Sequence, residues 1–193
     1  QQGGETPIAD TRKVWELLSD NTRRKFLEKG ILYTRNIGTG FGLNWKEVFQ
    51  TTDRGKVEEY CQKNGIQFEW KGAAQETITI KFSRPAVRLH PATGARVWFN
   101  HSYLFSIYSF PEFIQKIFRS NPDAIPFSSQ YGDGSEIEKE VIEEIESIYN
   151  RLMVAFTWQK GDILLLDNML TAHGRKPYKG ERKILVGMLD PCS

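Results

Sequence analysis

Cysteine is nearly missing from this chain, and so is any long apolar run. Two cysteines, Cys61 and Cys192, among 193 residues exclude a disulfide framework and favour a reducing compartment, so a cytoplasmic protein is expected. No stretch approaches the ~20 apolar residues that cross a bilayer, and no signal peptide is visible, so no membrane partner is expected. Charge of one sign is lacking too: 26 basic residues against 24 acidic ones leave no electrostatic footprint for nucleic acid. The run Arg23-Arg24-Lys25 reads as the solvated face of a helix. Repeats and low-complexity linkers are also absent. What is present, 39% hydrophobic and 26% charged residues, suffices for one sizeable core, and residues 1–193 read as a single domain.

Hydrophobic periodicity alternates between helix and strand. Lys13 to Lys29 carries Val14, Leu17, Leu18, Phe26 and Leu27 at helical spacing, with Gly30 as its stop. Ile31 to Arg35 reads as a strand, Asp53 to Asn64 as a helix ended by Gly65, and Thr77 to Phe82 as a half-exposed strand. A turn at Pro91 to Gly94 leads into a strand over Arg96 to Asn100. Pro111 to Phe118 and Ser135 to Met153 are expected to be helical, the latter with Ile137, Val141, Ile145, Ile148 and Leu152 on one face. Final strands are expected near residues 154–158, 162–167 and 182–188. Periodicity by itself gives an α+β protein. Trp45, Trp98, Phe99 and Trp158 read as core aromatics.

Histidine is scarce as well: His90, His101 and His173 are the only three. His90, before Pro91, reads as a turn residue. His101, beside Asn100 on the expected strand, is a candidate for substrate contact together with Asn100. Tyr103 is a poor iron ligand, because an ordinary phenol titrates near ~10. The closing segment carries more chemistry. Gly161-Asp162 turns into the apolar run Ile163 to Leu166, which reads as a buried strand. Asp167-Asn168 then puts polar groups at its end, and His173-Gly174-Arg175 follows, with Arg182 opening the next strand. An imidazole beside a fixed guanidinium suits an iron site that also holds a dicarboxylate: one nitrogen for the metal, one bidentate fork for the distal carboxylate. A plain surface histidine near a hairpin is the competing reading of His173.

Taken with other strings, this segment resembles the C-terminal half of the taurine dioxygenase and clavaminate synthase superfamily of Fe(II)/2-oxoglutarate-dependent oxygenases. The strings run through the chain: Gly3-Gly4-Glu5-Thr6, Tyr33-Thr34-Arg35-Asn36, Trp45-Lys46-Glu47-Val48-Phe49, Phe68-Glu69-Trp70, His90-Pro91-Ala92-Thr93-Gly94, Val97-Trp98-Phe99-Asn100 and Tyr131-Gly132-Asp133-Gly134. The resemblance points to the branch that hydroxylates amino acids and related natural-product intermediates. It implies a double-stranded β-helix, or jelly roll, with flanking helices. It implies Fe(II) and 2-oxoglutarate as cofactors, His173 as a metal ligand, and Thr6 and Arg182 on the far carboxylate, with Arg175 as a second candidate. The prime substrate is then a small molecule or a carrier-tethered, amino-acid-like intermediate, oxidised as 2-oxoglutarate is decarboxylated to succinate.

One departure stands out. Such enzymes hold the metal with a His-x-Asp/Glu pair and a distant histidine, and none of the three histidines here stands two residues before an acid. The resemblance places the pair shortly upstream of Gly3-Gly4-Glu5-Thr6, and the chain opens Gln1-Gln2, so an N-terminal part is expected to be missing. Two further classes follow from the departure: a non-catalytic member that acts as a binding protein, and a related non-heme iron halogenase.

Overall fold

The computed structural model describes residues 2–40, 42–73, 76–181 and 183–189. In chain order the elements are β1 (Gln2–Gly3), β2 (Ile8–Asp10), α1 (Thr11–Leu17), α2 (Asp20–Lys29), β3 (Ile31–Ile37), α3 (Trp45–Phe49), α4 (Arg54–Lys63), β4 (Gln67–Lys71) and β5 (Thr77–Arg84). They continue with β6 (Val87–Leu89), β7 (Arg96–Trp98), α5 (Glu112–Ser120), β8 (Phe127–Tyr131), α6 (Lys139–Leu152), β9 (Thr171–His173) and β10 (Tyr178–Lys179). The result is α+β, with every strand pair among the described residues antiparallel.

A four-stranded sheet in the order β4-β5-β3-β8 forms the frame. Strand alternation sends Ile31, Tyr33 and Ile37 of β3 and Ile78 and Ile80 of β5 to one face, and all five are buried there. Two cores grow from it. One gathers Val14 and Trp15 of α1, Phe26 of α2, Trp98, Tyr131 and the apolar stripe Val141, Ile142, Ile145 and Ile148 of α6. The other packs Trp45, Val57 and Cys61 of α3 and α4 onto Ile37, Ile78 and Ile80. Trp45 and Trp98 are therefore core aromatics, whereas Phe99 and Trp158 are half-buried.

Several sequence expectations change. The single helix from Lys13 to Lys29 is two helices, because Leu18 turns its apolar side chain into the core in extended conformation and Ser19 restarts the chain as an N-cap bonded to Thr22. The strand over Arg96 to Asn100 stops at Trp98, so Asn100 and His101 lie in a turn. The largest correction concerns the closing segment. Val154 makes one bridge to Ile8, and no strand forms over 155–170 or 183–189 among the described residues. Ile163 is 93% exposed and Leu165 84%, so the apolar run is neither a buried strand nor half of a buried hairpin. An apolar run becomes a strand only when a neighbouring strand accepts its backbone hydrogen bonds, and none among the described residues does. Cys192 lies outside the described residues.

Candidate functional site

The first and last parts of the chain meet. β2 pairs with β9, setting Ile8 opposite His173 and Asp10 opposite Thr171. β1 pairs with β10, setting Gly3 opposite Tyr178 in the same register. That register places Thr6 opposite Arg175, and backbone bonds hold the stretch between: Gly174 N–H donates to the Pro7 carbonyl and Lys176 N–H to the Glu5 carbonyl, both at 3.0 Å. Residues two apart in an extended ladder share a face. Thr6, His173 and Arg175 are thereby brought together on one side of it. Gly3 makes the close approach feasible: its φ is +76°, and a Cβ there would collide with the Pro177 carbonyl oxygen.

Each side chain has a defined state. The indole N–H of Trp158 donates to Thr6 Oγ1 at 2.8 Å. The threonine oxygen is thus an acceptor toward Trp158, and its own proton is left to donate to a ligand. His173 and Arg175 are exposed, and the Arg175 guanidinium sits 5.8 Å from the centre of the Tyr178 ring. Arg182 lies outside the described residues. Among the described residues no three histidine, cysteine or acidic side chains cluster as a metal site.

Asn100 and His101 are elsewhere, in the turn after β7. Asn100 donates to the Ala86 carbonyl at 2.8 Å and accepts from both the backbone and the hydroxyl of Ser102, so its side chain is already committed to the turn. The His101 ring stacks on Phe105, its backbone N–H donates to the Tyr33 hydroxyl, and burial pushes its pKa down. Tyr103 donates to Glu146 at 3.0 Å, and burial, then Glu146, pushes its phenol up to about 12. A separate cleft of about 680 Å³ opens between β3, β5 and the α3–α4 segment, walled by Phe49, Tyr60 and Phe82 and rimmed by Arg35, Lys56 and Arg84. It shares no lining residue with the ladder.

His90 is the turn residue that the sequence suggests, and the structure gives it a distant partner. It is buried, its Nε2 lies 2.9 Å from Asp167 Oδ2, and its Nδ1 accepts from the Thr93 N–H at 3.2 Å. The available signal was the pair of strings His90-Pro91-Ala92-Thr93-Gly94 and Asp167-Asn168, which only tertiary structure joins.

A family profile described as taurine catabolism dioxygenase TauD, TfdA family matches residues 1–189. The chain is 39% identical over 192 residues to the dapdiamide synthesis protein DdaC of Enterobacter agglomerans, covering 98% of this chain and 58% of that protein. It is 29% identical over 198 residues to a clavaminate synthase-like protein of Arabidopsis thaliana, covering 96% and 56% respectively. The chain thus spans little more than half the length of these relatives. A solved structure described as an alpha-ketoglutarate dependent 2,4-D dioxygenase from Burkholderia xenovorans aligns over 90% of this chain and 50% of its own, at 18% identity and a TM-score of 0.42.

Proposed function

The chain belongs to the taurine catabolism dioxygenase TauD, TfdA family, whose members depend on Fe(II) and 2-oxoglutarate, and from that premise we propose that it hydroxylates an amino acid or a related small biosynthetic intermediate, free or carrier-tethered. The observation that carries this is the ladder that sets Thr6, His173 and Arg175 on one face. Similarity to a dapdiamide synthesis protein supports a biosynthetic substrate.

The donor set fits one metal position and one carboxylate. His173 offers an exposed imidazole for Fe(II). Thr6, held by Trp158, offers a hydroxyl proton to the far carboxylate of 2-oxoglutarate. The fork on the same carboxylate is assigned to Arg182, with Arg175 the second candidate. The reading requires a His-x-Asp/Glu pair that the 193 residues do not contain, and a jelly roll to surround it. When bound, iron and 2-oxoglutarate would supply the oxidising chemistry with dioxygen as the oxidant, one oxygen atom entering succinate as CO₂ leaves and the other entering the substrate; the protein orients the partners and keeps water away.

The test is iron stoichiometry and succinate production in the full-length protein carrying His173→Ala. Both are expected to vanish. Retained stoichiometric Fe(II) in that variant removes the reading.

A further inference from the structure

We infer that His90 and Asp167 form a clasp whose role is to position β9, the strand that carries His173. The inference rests on the proposed metal role of His173, and assigns two residues outside the ligand set to that site.

His90 sits at the start of the β6–β7 turn and is 7% exposed. Its Nδ1 accepts the Thr93 N–H at 3.2 Å, which leaves Nε2 as the protonated nitrogen, donating to Asp167 Oδ2 at 2.9 Å. The other oxygen of Asp167 accepts from the backbone N–H of Met169 at 2.9 Å and of Leu170 at 3.1 Å. The Asp167 carbonyl then accepts from the N–H of Thr171 at 2.9 Å, the first residue of β9. One carboxylate therefore folds the turn that feeds β9, and one buried imidazole fixes that carboxylate to a hairpin 77 residues earlier. Thr11 adds a second hold, donating to the Met169 carbonyl at 2.7 Å. The clasp matters because the approach to the turn is loose: over 155–166 no strand pairing holds the backbone among the described residues, and Ile163 and Leu165 pack on nothing there. The ladder with β2 sets the register of β9, and the clasp sets where the turn delivers it.

The two ends of the imidazole can be separated by substitution. His90→Gln places an amide N–H near the Nε2 position and keeps donation to Asp167, whereas His90→Asn places its amide at the Nδ1 end and cannot reach Asp167. In the full-length protein, His90→Asn is expected to speed hydrogen exchange at the Thr171 and Ala172 amides by about tenfold and to weaken Fe(II) binding by about tenfold, the lower end of what outer-shell partners of a metal site contribute. His90→Gln is expected to restore both. A purely structural role would lower Tm for both variants and leave them alike at β9. If His90→Asn does not fold, Asp167→Asn provides the same test, because its amide turns a donor toward Nε2–H. Unchanged exchange at β9 in His90→Asn, or equal acceleration in His90→Gln, overturns the clasp whatever iron does. Retention of iron by His173→Ala overturns the metal reading alone, since the exchange result stands without it.

Discussion

In the proposed site Thr6 would donate to the far carboxylate only if its oxygen stays turned toward Trp158, because a free hydroxyl rotor has no fixed direction. Trp158→Phe keeps the ring and removes the N–H, so it is expected to weaken 2-oxoglutarate binding about tenfold or less, the worth of one hydrogen bond at ~0.5–1.5 kcal/mol. Titration with 2-oxoglutarate beside Thr6→Val decides this; an effect of the tryptophan change that persists in the Thr6→Val background points to another cause. The arginine fork is larger. Loss of one partner of a buried charge pair costs about 2–5 kcal/mol, so the arginine that clamps the carboxylate should, when changed to Gln, raise the 2-oxoglutarate Kd by roughly thirtyfold or more. Arg182→Gln and Arg175→Gln measured side by side assign the clamp, and Lys at the true site should fare nearly as badly, since an ammonium cannot reproduce the fork. Asp167 adds a pH dependence. The His90 bond, followed by the Leu170 and Met169 amides, holds its carboxyl below the usual range. A pKa depressed in the folded state contributes stability above the ordinary value of ~3.9 and loses it as pH falls through the folded value. Acid melting curves should therefore separate wild type from Asp167→Asn at neutral pH and converge at the acid end; a constant gap would mean that the carboxylate is not the responsible group.

At the scale of elements, the ladder joining residues 2–10 to 171–179 depends on the backbone geometry of Gly3. Gly3→Ala forces a side chain into a positive φ against the Pro177 carbonyl, a strain on the order of 1–3 kcal/mol. It should loosen the ladder at the Thr6 end, seen as faster exchange at Gly4 and Lys176, while α6 and the four-stranded sheet keep their protection. Protection lost everywhere would mean that the ladder is part of the global core. Most of these elements were legible in the sequence. Gly30 and Gly65 ended their helices where expected, and the α6 stripe matched burial, because local periodicity reports the face an element buries; β5 departs from its half-exposed alternation, since Thr79 is buried beside Ile78 and Ile80 and donates to Asn36. The break at Ser19 was not, since its reason is the buried Leu18 and the carboxylate of Glu144, which accepts from the Ser19 amide and hydroxyl across 125 residues.

At the scale of the whole molecule, α6 supplies the apolar stripe of one of the two cores. Ile145 is fully buried in the core that α6 shares with α1 and α2, so Ile145→Ala should cost about 2–5 kcal/mol in urea unfolding. Ile163 and Leu165, by contrast, are exposed, and aspartate there should shift the stability of the 193-residue polypeptide by no more than ~0.5 kcal/mol. The sequence alone determined the α+β character and the positions of the central helices and strands, since each is written in local spacing. Only tertiary structure decided that Thr6 faces Arg175, that Asn100 is committed to a turn, that His90 grips Asp167, and that the apolar run after Gly161 stands unpaired. Those outcomes depend on which distant backbone supplies the partner, and no local pattern carries that information.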